Sequence, residues 1–457
     1  MPIQTVTINT TTASLDYYLI AFDADGNERR EADGFISQKL VDILSTQAIT
    51  DVFFISHGWL GDVPAAKKQY HNWIKAMAES QADIQKIQEL RKSQNQEFRP
   101  LLIGLHWPSK PWGNEDLNAE PTSYDTSGTK LNELIEEYAQ DVADTDAARE
   151  ALGTIFTASI EYSIPPDNLP PEVKAAYEVL IKEASLEGDE NDSESSILEP
   201  DAIYESLIAQ EESEEIRFAI GDAPKSKKNT FLDFLGYLSY WKMKQRARHI
   251  GETSGFNLLT KLQKAAAETT RFHLVGHSFG CIVVSSIVAG RKNSKLVRPV
   301  NSLVLIQGAL SLWSYSSNIP RRVNLAGCFS SVINDRKVVG PIVTTRSIHD
   351  NSVTKLYPVA SVSGRFSGQD IDFAAPLESE FPEYGSIGTF GIQGIDEMTS
   401  LKMYPSEKPY NFQSGKVYNL ESSEFIRNLD GGKDADAHNS IAKPQVAHAV
   451  SSAAFGS

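Results

Sequence analysis

Only two cysteines, Cys281 and Cys328, occur among 457 residues. Two thiols cannot build a disulfide scaffold or a four-cysteine zinc site, and with apolar neighbours both read as buried thiols. No apolar run approaches the ~18 residues that span a bilayer, so no transmembrane segment is expected. The start, Met1-Pro2-Ile3-Gln4-Thr5, lacks the basic and apolar regions of a secretory signal. A soluble, cytoplasmic chain is the expectation. Basic residues are also in deficit, with 43 Lys and Arg against 60 Asp and Glu and a net charge of −17. That balance argues against a nucleic-acid partner, which needs a basic face, and against docking on anionic lipid. No internal repeat is evident. What remains is ordinary: 41 % hydrophobic and 23 % charged residues, enough for one large α/β domain with an insertion.

Strand and helix signals alternate along the chain. Short apolar runs at 17–22, 52–55, 101–105, 272–275, 303–306, 342–345 and 417–420 read as strands, most of them buried on both faces. Asp23 to Asn27, with Asp-Gly at its centre, reads as a turn leading into a further strand. Helical spacing joins Ile36, Leu40, Ile43 and Leu44, then Tyr70, Trp73, Ile74 and Met77, then Ile250, Leu258, Leu259 and Leu262. The fold class predicted is α/β, a mostly parallel β-sheet flanked by helices. Residues 110–238 break the alternation. Leu131, Leu134, Ile135, Tyr138 and Val142 share one helical face, and Pro171 opens a helix carrying Val173, Ala176, Tyr177 and Leu180. The acidic run 187–196 reads as a solvated loop, and Lys225, Lys227 and Lys228 as another. The predicted division is therefore a core of 1–109 and 239–457 and a mainly helical insertion of 110–238.

Gly276-His277-Ser278-Phe279-Gly280 is the motif with chemical content. G-x-S-x-G arises by chance in roughly one chain in seven of this length, so its surroundings decide its weight. Here a buried strand precedes it and an apolar helix, 282–288, follows. A serine on so sharp a strand-to-helix turn needs positive φ, and its neighbours two residues away on each side must be small. Backbone N–H groups at the start of the following helix then face a developing oxyanion.

With these residues the chain resembles the α/β-hydrolase fold, and within it serine hydrolases of the lipase and esterase type. The resemblance covers roughly 15–110 and 240–455. It implies a cap or lid role for the insertion and no metal or organic cofactor. It also implies that the second oxyanion N–H follows an early strand just past a His-Gly turn. Val52-Phe53-Phe54-Ile55-Ser56-His57-Gly58-Trp59-Leu60 carries that pattern. The oxyanion donors are then the N–H groups of Phe279 and Trp59. His57, Gly58, Leu60, His277 and Trp107 are expected around the substrate, His277 as a packing or hydrogen-bonding residue rather than as the base.

A serine hydroxyl needs a base, and the order in this fold is Ser, acid, His. Of nine histidines, His438 and His448 lie late enough. His438 sits in a polar loop after the last strand, whereas His448 lies inside the final helix and reads as a packed residue. The acid belongs just past the strand 342–345. Asp350 stands there, and Asp335, ahead of that strand, is the poorer candidate. His273 reads as a satisfied core histidine, Cys281 as packing, and His106-Trp107 equally as pocket lining or strand-end packing.

The expected activity is acyl transfer to water through Ser278, His438 and Asp350, on a small-molecule or lipid-like ester. A peptidase, amidase or thioesterase would use the same triad. A non-catalytic binding protein contacting a protein partner through the acidic insertion is the alternative of another class.

Overall fold

The computed structural model describes residues 3–7, 14–59, 62–109, 131–162, 164–186, 198–209, 230–320, 324–356, 381–382, 385–427 and 437–455. Leu60, the acidic run 187–196 and the lysines 225–228 lie outside the described residues. The chain divides into two compact units. The first comprises Met1–Ser109, Arg246–Thr354 and Gly385–Ser457; the second comprises Lys110–Gln245 and Lys355–Tyr384.

The first unit holds a nine-stranded sheet. Its strands are β1 (Ile3–Thr7), β2 (Ser14–Ala21), β3 (Asp51–Ser56), β4 (Pro100–His106), β5 (Arg271–His277), β6 (Ser302–Ile306), β7 (Ile342–Arg346), β8 (Met398–Lys402) and β9 (Val417–Glu421). Their spatial order is β1-β2-β4-β3-β5-β6-β7-β9-β8. β1 pairs antiparallel with β2, and every other neighbouring pair is parallel. The α/β class with a mostly parallel sheet flanked by helices is therefore as the sequence predicts.

The central strands are the ones legible as apolar runs. Every residue of β3 and β6 is buried, because helices cover both faces of a parallel sheet. Two strands escape the pattern search, and both lie at the sheet's edges. β8 alternates little and is largely exposed, so it carries no apolar run. β1 is also an edge strand with one buried residue. The turn at Asp23 forms as expected, its carboxylate accepting from the N–H groups of Asp25 and Asn27. The strand expected after it reduces to an isolated bridge between Phe22 and Glu28.

The helix that follows β5, Gly280–Ala289, is buried along its whole length. It is closely packed by a π-helical turn, Gly251–Gly255, inserted between the helices Thr230–Ile250 and Phe256–Ala265. A Cβ on Gly251 would lie 2.5 Å from Ser286 Cβ, and one on Gly255 2.5 Å from Ile287 Cγ1. Two glycines four residues apart thus let the backbones approach. The expected boundary at 238/239 falls inside the helix Thr230–Ile250, and the units divide at 245/246.

The second unit is helical among its described residues. It includes Leu131–Val142, Asp146–Glu161, Pro171–Glu183 and Pro200–Ala209. Tyr177 anchors its core. Its ring stacks 3.7 Å from that of Phe234, and its hydroxyl donates to the Phe231 carbonyl. Among the described residues no helix is long and apolar enough to cross a membrane.

Candidate active site

The carboxyl ends of the parallel strands lie along one edge of the sheet, the edge where α/β proteins bind ligands. His57 and Gly58 follow β3, His106 ends β4 and Trp107 follows it, and Ser278 follows β5. Gln307 follows β6, Asp350 lies past β7, and His438 lies past β9.

Ser278 has φ +55°, the left-handed conformation the tight turn requires. Its glycine flanks meet the steric demand directly. A Cβ on Gly276 would come within 2.4 Å of the Gly280 carbonyl oxygen, and one on Gly280 within 2.3 Å of the Ser56 carbonyl oxygen. Neither position accepts a side chain without backbone movement. Phe279 caps the Gly280–Ala289 helix in helical conformation, so its N–H lies at the positive end of the helix dipole.

Asp350 and His438 meet. His438 Nδ1 donates to Asp350 Oδ2 at 2.7 Å, with Asp350 fully buried and His438 9 % exposed. The N–H of Val353 donates to Asp350 Oδ1 at 3.2 Å. His438 sits on a short 3-10 turn, Ala437–Asn439. His277, the residue before Ser278, donates from Nε2 to the His438 carbonyl oxygen at 2.9 Å, and the two rings lie 4.6 Å apart. The loop carrying His438 is thereby tied to the strand end that carries Ser278.

No known family model, curated protein or solved structure matches this chain.

The chemistry of the site is therefore read from its own geometry. His277 stays neutral, because complete burial holds its pKa well below the ordinary value. With Nε2–H committed to a carbonyl, Nδ1 accepts from the Gln69 amide at 2.9 Å. The His-Gly turn is held with equal care. His57 Nδ1–H donates to the Gly58 carbonyl at 2.8 Å, so its Nε2 accepts from His106 Nδ1–H at 3.0 Å. His106 is neutral as well, its pKa lowered by burial to about 3. The Tyr70 hydroxyl accepts from the His57 N–H and donates to the Leu105 carbonyl. Trp107 stacks flat on His57 at 5.6 Å and donates from Nε1 to the His57 carbonyl.

The side chains of His57, His277 and Trp107, expected around the substrate, are 0 %, 2 % and 0 % exposed and face protein. They hold the His-Gly turn and the loop carrying His438. Gly58, expected beside the substrate, lies against the serine: a Cβ there would lie 2.6 Å from Ser278 Cβ. Trp59 follows, partly exposed, its ring 5.9 Å from that of Phe279.

His273 and His448 are structural. His273 bonds Ser302 through Nδ1 and Asp51 through Nε2, fully buried. His448 donates from Nδ1 to the Asp83 carboxylate at 2.8 Å and from Nε2 to the Lys408 carbonyl at 3.0 Å. Cys281 is a buried thiol, whereas Cys328 is partly exposed, contrary to its expected burial. Among the described residues no cluster of three His, Cys, Asp or Glu side chains is placed to hold a metal ion.

Sequence reasoning missed Gln307. Its side-chain amide donates to Asp350 Oδ2 at 2.8 Å, alongside His438. No motif marks it; its place at the end of β6 was the available signal.

Proposed function

We propose that this chain is a serine hydrolase of the α/β-hydrolase type, cleaving a carboxylic ester through Ser278, His438 and Asp350. The observation that carries the reading is the Asp350–His438 hydrogen bond at the sheet edge that also presents a left-handed serine. Acid past β7 and base past β9, after a serine past β5, follow the Ser, acid, His order of such enzymes.

In this mechanism the Ser278 hydroxyl attacks the ester carbonyl carbon, and its proton passes to His438 Nε2. Asp350 keeps the proton on Nδ1, so Nε2 presents its lone pair, and it stabilises the imidazolium that forms. The tetrahedral oxyanion is held by N–H groups of Phe279 and Trp59, each contributing a few kcal/mol to the transition state. His438 then protonates the departing alkoxide. Water, deprotonated by the same imidazole, releases the acid and restores Ser278. Gly58 lets the turn lie against the nucleophile.

Ser278→Ala is the direct test. The folded variant loses hydrolysis of a p-nitrophenyl ester by at least about 10³-fold and no longer takes up a fluorophosphonate probe. Undiminished hydrolysis by the variant, or no labelling of the folded wild-type protein, overturns the proposal.

A further inference from the structure

The geometry points to Gln307 as the positioning residue of the acid, fixing the Asp350 carboxylate in the orientation that receives His438. The inference rests on the hydrolase reading above.

Gln307 has φ +46°, a left-handed conformation that strains a non-glycine residue. Glycine would fit this backbone without strain, yet the position carries a long amide that is completely buried. Its hydrogen bonds explain the side chain. The Thr345 hydroxyl accepts from the Gln307 backbone N–H at 3.0 Å and donates to Gln307 Oε1 at 3.0 Å. With Oε1 accepting from Thr345, Nε2 faces away from that hydroxyl. It faces Asp350 Oδ2 at 2.8 Å, with the Gly388 carbonyl as a longer second acceptor at 3.4 Å. A flipped amide would set oxygen against carboxylate.

Oδ2 therefore receives two donors, Nδ1–H of His438 and Nε2–H of Gln307, while Oδ1 receives the Val353 N–H. The chain immediately beyond is closed on Gln307 as well. A Cβ on Gly388 would lie 2.9 Å from the Gln307 carbonyl carbon. The strained backbone thus delivers the amide from the end of β6 to the acid beyond β7, and Thr345 locks it there. Loss of the amide frees the carboxylate to rotate, and His438 loses its fixed partner.

Four proteins test this: wild type, Ser278→Ala, Gln307→Leu and Gln307→Glu, compared by kcat and KM for a p-nitrophenyl ester across pH. Gln307→Leu lowers kcat about ten-fold with KM unchanged, the effect of losing one hydrogen bond to a charged group. Gln307→Glu recovers activity on the acidic side, where two adjoining carboxyl groups share a proton and the new one donates to Asp350. It loses activity on the alkaline side, where that proton leaves. His277, packed on His438, is neutral throughout. Wild-type kcat in Gln307→Leu, or a Gln307→Glu profile parallel to that of Gln307→Leu, overturns the inference. Full activity in Ser278→Ala overturns the hydrolase reading instead. The Nδ1–H proton resonance of His438 gives a readout independent of turnover: it weakens in Gln307→Leu if the inference holds and is unchanged if it fails.

Discussion

The contact between the His-Gly turn and Ser278 makes a quantitative prediction. Adding one methyl group by Gly58→Ala places a carbon 2.6 Å from Ser278 Cβ and 3.2 Å from both Ser278 Oγ and the His277 carbonyl oxygen. Nonbonded carbons favour about 3.5–4.0 Å, so the shortfall against Ser278 Cβ is about 1 Å. Gly58 is not in the left-handed region, so the alanine adds no backbone strain of its own. Crowding of this kind costs about 1–3 kcal/mol. Ser278→Gly removes both the Cβ and the Oγ, and glycine accepts the φ of +55° at that position. In that background only the 3.2 Å approach to the His277 carbonyl remains. The cost of Gly58→Ala should then drop to a few tenths of a kcal/mol, leaving a coupling of about 1–2 kcal/mol between the two sites. Urea unfolding of the four proteins of this cycle measures it, with unchanged slopes securing the comparison. An equal cost of Gly58→Ala with serine or glycine at 278 would refute the reasoning, since the turn would then not press on the nucleophile.

His448 donates from both ring nitrogens, which requires the imidazolium. Burial alone would lower its pKa, but the Asp83 carboxylate and the Lys408 carbonyl outweigh burial and raise it. This stabilisation is complete below the unfolded value of about 6.5 and fades as pH rises through the raised folded value. Urea midpoints of wild type should fall across that window and those of His448→Gln should not; parallel curves would contradict the assignment. Arg91 and Asp51 form a buried ion pair, with Arg91 donating to Asp51 at 2.5 and 3.0 Å. Arg91→Met should destabilise by about 3–5 kcal/mol in the same assay by leaving the Asp51 charge short of partners, and a cost under about 1 kcal/mol would contradict it. Burial pushes the Cys281 thiol well up, and its Sγ donates to the Gly276 carbonyl. Maleimide treatment of the native protein followed by mass spectrometry should find the label on Cys328; preferential labelling of Cys281 would be inconsistent with this burial.

Much of the architecture is written locally. Buried parallel strands are continuous apolar runs, so β3, β5, β6, β7 and β9 are visible one at a time, and Gly276 and Gly280 announce the turn between them through a purely local steric need. The edge strands β1 and β8 are not visible, because an edge buries little and leaves no apolar signature. The chain order implied by the resemblance, with their places after strands, singled out Asp350 and His438, which lie 88 residues apart and meet in the structure at 2.7 Å. Tertiary packing decided the rest. It turned His57, His277 and Trp107 inward, since a side chain's direction depends on which atoms from distant segments fill its hydrogen bonds. It also brought Gln307 to Asp350, 43 residues away. A glutamine carries no local pattern, and only the alignment of strand ends in one sheet gives its amide a carboxylate to hold.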